Sequence, residues 1–282
     1  LEALIYYLFI IINNLILTAL LSSSYFGPVQ WYQKLNRYDE CLIERHESFI
    51  KQTYRNRMII ATTNGPLSLT IPTNHDTSMA MKDIRISDHA NWRHVHWNAL
   101  LSAYGESPFF EYYQDDIRPF YEKKYDFLFD FNMEIMEKMI ELLDIRPNVK
   151  VTDEYFPKNT QHFDVVDFRD AIRPKKPLPD PDFTPKRYYQ VYEQKHGFLP
   201  NMSILDLLFN EGNEANSISR NTASFCNVMI ENNFTLLQLL HDSTLSERGA
   251  IPAKQKIWND IPENEMLTEK INILCKLQIY RL

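Results

Sequence analysis

RMIIATTNGPLSLTIP, residues 57–72, is the stretch from which the rest of the chain can be read. Met58-Ile59-Ile60-Ala61-Thr62 is rich in β-branched and apolar residues, and Asn64-Gly65 is a turn signal. Leu67-Ser68-Leu69-Thr70-Ile71 then alternates apolar and polar, and Pro72 cannot continue a ladder. The stretch predicts a β-hairpin. Upstream, Ile16 to Ser22 is a short apolar run that leads into the turn Tyr25-Phe26-Gly27-Pro28, the pattern of a buried first strand. Val29 to Leu35 reads as a short helix or turn packing Trp31 and Leu35, and Tyr38 to Glu44 reads as a strand.

Downstream, Ile84-Arg85-Ile86 is a short strand candidate. Ser87 or Asp88 is suited to cap a helix from about His89 to Tyr104, which Gly105 ends. A second helix is expected from Pro119 through Leu143, with a break near Asp130. Val149-Lys150-Val151 reads as a strand. Five prolines at 174, 177, 179, 181 and 185 make residues 173–186 an extended surface loop. Strand-like Tyr188-Tyr189-Gln190-Val191-Tyr192 follows. Ser203-x-x-Asp206 then opens a helix that Gly212 stops. Residues 217–282 are rich in Asn, Ser and Thr, with helical pieces near Asn233 to His241 and Met266 to Leu277. The expectation is a mixed α/β domain over residues 16–215. It has a hairpin-containing sheet and a helical middle, with an apolar appendage at 1–15 before it and an extension at 216–282 after it.

Residues 1–21, LEALIYYLFIIINNLILTALL, hold three readings open. Their apolar length is about that of a bilayer span. Adjacent Asn13 and Asn14 are costly at its middle, and no Lys or Arg precedes the run as in a signal peptide. A buried strand from Ile16 with residues 1–14 as an appendage is favoured over a membrane anchor or a cleaved signal. Membrane contact through residues 1–21 is therefore not the favoured reading, and the expected compartment is the cytoplasm, with inner-membrane tethering as its alternative.

The chain has 282 residues, a net charge of −7 and a pI near 5.7, which argues against a dedicated nucleic-acid binder. Three cysteines, Cys41, Cys226 and Cys275, lie far apart with no CxxC, so no zinc site or disulfide framework is indicated. The glycines form no GxGxxG or GxxxxGK[ST] loop, and no cofactor is assigned.

KQTYRNR, residues 51–57, carries three cations in seven residues. If the segment is extended, Lys51, Thr53, Arg55 and Arg57 share a face that suits a phosphate or carboxylate. A solvated basic edge strand fits the same residues. Asn56 is the member least explained by solubility. On the 89–104 helix, His89, Arg93, His96 and Leu100 share one face, flanked by Trp92 and Tyr104. His94 and His96 point about 200° apart on a helix, so one metal cannot take both. His96 is either a general base or a hydrogen-bonded packing histidine. Ser107 is suited to cap the next helix, and Glu111 is either an acid or base or a solvated residue.

Tyr25-Phe26-Gly27-Pro28-Val29-Gln30-Trp31, KQTYRNR and WRHVHWNALLSAYGESPFFEYY (92–113) together resemble the WbqC-like family of bacterial proteins, which is associated with surface-polysaccharide (O-antigen) gene clusters. The Arg55-Asn56-Arg57 triplet followed by Asn64-Gly65 resembles a hallmark of that family. Many members open with a His-Gln-Pro type motif where this chain has Ser23-Ser24-Tyr25-Phe26-Gly27-Pro28. The resemblance covers about residues 16–215 and implies a role in surface-glycan assembly. On that reading the partner is a small molecule, a nucleotide sugar or anionic metabolite. Lys51, Arg55 and Arg57 hold its anion, with Asn56 and Asn64 orienting it. Arg93 and Tyr104 join the site, and His96 or Glu111 handles a proton. A non-catalytic scaffold of a glycan-synthesis complex is the rival reading.

Overall fold

The computed structural model describes residues 17–74, 78–158 and 165–216, all within the unit Leu15–Asn221. The appendage over residues 1–15 and the helical pieces expected near Asn233 to His241 and Met266 to Leu277 lie outside the described residues.

β1 (Thr18–Ser22) runs parallel to β2 (Glu40–Glu44), joined through α1 (Val29–Arg37). β7 (Val149–Val151) pairs with β2, and β8 (Val165–Asp167) pairs with β1, so the order is β7-β2-β1-β8 with every pair parallel. β1 is enclosed along almost its whole length, as a central parallel strand covered on both faces must be. Cys41 on β2 is buried, and burial pushes its thiol up to about 12, so it is a packing residue.

β3 (Arg57–Thr62) and β4 (Gly65–Thr70) form the expected hairpin. Thr62 faces Gly65, which places Thr63-Asn64 at the tip of the turn and Gly65, at φ +94°, on the returning strand. The hairpin stands as its own two-stranded sheet, as does the pair of β5 (Thr73–Asn74) with β6 (Arg85–Ile86).

The helical middle consists of α2 (Trp92–Tyr104), α3 (Phe110–Ile117), α4 (Pro119–Glu122) and α5 (Leu128–Leu142). His89 lies outside α2, in a 3₁₀ turn where Ala90 and Asn91 both take positive φ. Ser87 Oγ accepts the His89 N–H, whereas Ser107 Oγ caps nothing, since α3 starts three residues later. The expected long helix from Pro119 is broken over residues 123–127 because that segment pairs with β6 instead. Ile86 N–H donates to the Asp126 carbonyl and Leu128 N–H to the Ile84 carbonyl.

Residues 173–186 form no helix or strand, yet the loop is pinned rather than free. Buried Lys34 of α1 bonds Asp180, and Tyr38 donates to Asp182. Tyr188 to Tyr192 is not a strand. Gln190 uses its side-chain amide in place of a ladder, donating to the Leu199 carbonyl and accepting the Leu199 N–H. A short helix, α6 (Glu193–His196), follows it. Ser203 then caps α7 (Ile204–Glu211) by accepting the Leu205 N–H, and its hydroxyl donates to the Phe26 carbonyl. Every residue of α7 from Ile204 to Asn210 is buried, so the helix is a core element. No helix among the described residues is long and apolar enough to cross a membrane.

Candidate functional site

The strand order reverses between β1 and β8, and the crevice beyond the carboxyl ends at such a reversal is the usual ligand site of an open parallel sheet. Here it is filled by paired charges. Arg55 grips Glu47 with Nε (2.8 Å to Oε1) and Nη2, and also donates to Ser22 Oγ at the end of β1. Both partners are under 5 % exposed. Arg169, after β8, grips Asp167 with the same edge and donates Nη1 to the Phe156 carbonyl. Glu44, at the end of β2, accepts from Thr152 and from the Phe156 and His46 N–H groups. Asn132 of α5 donates to the Arg55 carbonyl and to Ser23 Oγ. The cluster ties the three strand ends together, and a ligand anion reaches Arg55 only by displacing Glu47.

Residues 51–56 are therefore turns, not an extended row. Glu47 and Ser22 draw Arg55 inward while Lys51 stays exposed. Arg57 donates Nε across the hairpin to Thr70 Oγ1, and Asn56 clips the strand ends through the Ile71 carbonyl. Asn64 is exposed at the hairpin tip, and Glu111 is exposed in the first turn of α3. Tyr104 is buried, donating to Asp206 and accepting the Ala61 N–H.

His96 occupies the buried face of α2, opposite exposed His94. Burial pushes its pKa down to about 4, opposed by a hydrogen bond to the Thr70 carbonyl. The neutral ring is hydrogen-bonded at Nδ1 to the Tyr25 hydroxyl, 2.9 Å away. The Tyr121 hydroxyl is 3.0 Å further on. Burial raises both tyrosines, so the chain Tyr121–Tyr25–His96 is neutral at neutral pH.

Tyr121 is also part of the wall of an open cleft of about 480 Å³. Arg93, His94 and Trp97 of α2 line it together with Arg118, Tyr121 and Lys124. The Trp97 and Tyr121 rings are 5.8 Å apart. The Arg93 guanidinium lies 4.7 Å from the Trp92 ring centre and donates Nη1 to Asp88. Its Nε and Nη2 make no hydrogen bond among the described residues. Asn91, with its left-handed backbone, completes the rim, and such strained positions gather at binding sites.

Of the expected anion-holding cations, only Arg93 faces this cleft; Lys51, Arg55 and Arg57 do not line it. Sequence reading passed over Arg118, Tyr121 and Lys124, which carry no motif, and over Trp97. In the sequence His94 stands out only beside His96, as a metal ligand. The usable signal was the pairing of His94 with Trp97, one helical turn apart on the α2 face away from His96.

The family model described as the WbqC-like protein family matches residues 23–175 and 180–218. No curated protein and no solved structure matches the chain. The matched residues span more than half the chain, from the loop after β1 to the end of α7 and beyond, and the protein belongs to the WbqC-like family.

Proposed function

We propose that this protein is a cytoplasmic enzyme of bacterial surface-polysaccharide (O-antigen) biosynthesis, a group transferase that acts on an activated or anionic sugar in the α2–α4 cleft. The observation that carries this reading is the cleft itself. Aromatic walls at Trp97 and Tyr121 suit the apolar face of a sugar or base, while Arg93, Arg118 and Lys124 suit an anion. The family's association with polysaccharide gene clusters supports the pathway.

His94 lines the cleft and would take a proton from the attacking sugar hydroxyl or amine through Nε2, once that nitrogen is released from the Asn98 amide 2.8 Å away. As that oxygen or nitrogen bonds to the transferred group, the leaving group of the activated carrier departs with the bonding electron pair. Tyr121, with Tyr25 and His96 behind it, holds the far wall in one hydrogen-bonded arrangement.

The test is a thermal-shift screen of the whole chain against nucleotide sugars, followed by product analysis of any ligand that stabilises it. Stabilisation that is lost in Arg93→Gln, together with turnover that is lost in His94→Gln, supports the reading. Binding without turnover identifies the non-catalytic scaffold instead. No stabilisation by any nucleotide sugar overturns both.

A further inference from the structure

Asp88 is placed where a ligand's anion would sit. One carboxylate oxygen accepts from Arg93 Nη1 and the other lies 3.1 Å from Lys124 Nζ. The two cations come from different elements, α2 and the 123–127 segment, and all three residues line the cleft. The Asp88 side chain is 53 % exposed.

Two buried arginine pairs elsewhere in the described residues are built differently. Arg55 and Arg169 each spend the Nε/Nη2 edge on a carboxylate, the geometry in which a guanidinium holds an oxyanion best. Arg93 meets Asp88 through Nη1 alone, and its Nε/Nη2 edge is enclosed but unpaired among the described residues. An enclosed N–H pair without a partner is costly, and turning the guanidinium off Asp88 would release it. The contact being given up is an exposed ion pair, which contributes little.

We infer that the cleft binds a phosphate ester, whose phosphate displaces Asp88 and bridges Arg93 and Lys124. This rests on the cleft being the substrate site, as proposed above. A phosphate monoester brings more charge than a carboxylate and three acceptor oxygens, enough for the Arg93 fork and the Lys124 ammonium at once. The ring that carries it would lie against the adjoining faces of Trp97 and Tyr121, where stacking needs no particular hydrogen-bond pattern. Asp88 then has a definite role. It keeps the two cations in place before the ligand arrives and raises the affinity required of any anion that enters.

The test is titration of the whole chain with glucose 1-phosphate, UMP, uridine and inorganic phosphate, read by calorimetry and tryptophan fluorescence. The variants are Asp88→Asn, Arg93→Gln and Arg93→Lys, each checked for an unchanged melt. Wild type should bind at least one of the two esters, and uridine about tenfold more weakly than UMP or not at all. Which ester is preferred separates a sugar phosphate from a nucleotide. Asp88→Asn should tighten ester binding about threefold, because the competing carboxylate is gone. Arg93→Gln should weaken it about tenfold or more, and Arg93→Lys should recover only part, since an ammonium lacks the fork. If the esters bind but Asp88→Asn weakens them or leaves them unchanged, the displacement is wrong and the cleft stands. If neither ester binds while an unphosphorylated or carboxylate-bearing sugar does, the ligand class is wrong. If nothing binds to wild type or to Asp88→Asn, both this inference and the cleft reading fail.

Discussion

The Tyr25 hydroxyl and Nδ1 of His96 are hydrogen-bonded across 2.9 Å, joining the loop after the first strand to the middle of α2. These residues lie 71 positions apart in the chain. The bond explains why a histidine in the core stays there: burial keeps it neutral, and its Nδ1 is satisfied.

His96 should make the protein sensitive to mild acid. Its folded pKa, about 4, lies below the ordinary histidine value of 6.5. Between those two values the unfolded chain binds a proton that the folded chain refuses. The contribution is therefore fully present above pH 6.5 and is lost as pH falls through 4, about 3 kcal/mol in all. Urea unfolding of wild type and His96→Gln from pH 7.5 to 4 checks this. The variant should lose part of the pH slope, and parallel slopes would contradict the assignment.

Glu47→Gln strips Arg55 of its counter-charge in a setting where both side chains are almost completely enclosed. We expect a loss of about 3–5 kcal/mol, since an uncompensated buried charge is left behind. Glu47→Leu with Arg55→Met removes both charges and should recover much of that loss. Equilibrium unfolding of the three proteins decides it.

Asp206, fully buried, accepts from Tyr104 at 2.9 Å, Tyr188 at 2.6 Å and Gln190 at 2.7 Å. An asparagine offers one oxygen and turns an NH₂ group against a donor. Asp206→Asn should cost about 2–4 kcal/mol, against about 1 kcal/mol for Tyr188→Phe. Hydrogen exchange at 188–199 should rise in the first variant, because Gln190 loses the carboxylate that orients it.

Gly27 has no room for a side chain. A Cβ there would lie 2.3 Å from Ser24 Oγ and 3.0 Å from Ser24 Cβ. Gly27→Ala should cost about 1–3 kcal/mol through overpacking. Adding Ser24→Gly removes both obstacles and should return the melting temperature most of the way. A single variant as stable as wild type would show that the turn has slack.

Several elements could be read locally because their causes are local. The hairpin follows from alternation and a turn, α7 from a capping serine and a stopping glycine, and β1 from a short apolar run before Gly27-Pro28. The candidate site was only partly legible. Arg93 and His96 stand out on a helical face, but Tyr121 and Lys124 give no signal until the 123–127 segment leaves its helix to pair with β6. Arg55 stands out by its charge, and Glu47 at position i−8 decides which way that charge points.

Sequence alone determined the mixed α/β character, the family and the residues able to carry charge, since composition, periodicity and short motifs are properties of neighbours along the chain. Tertiary structure alone decided which arginine is spent and which is available. That depends on whether a carboxylate distant in the chain reaches the guanidinium's Nε/Nη2 edge, as Glu47 does for Arg55, while Arg93 holds Asp88 only from the side.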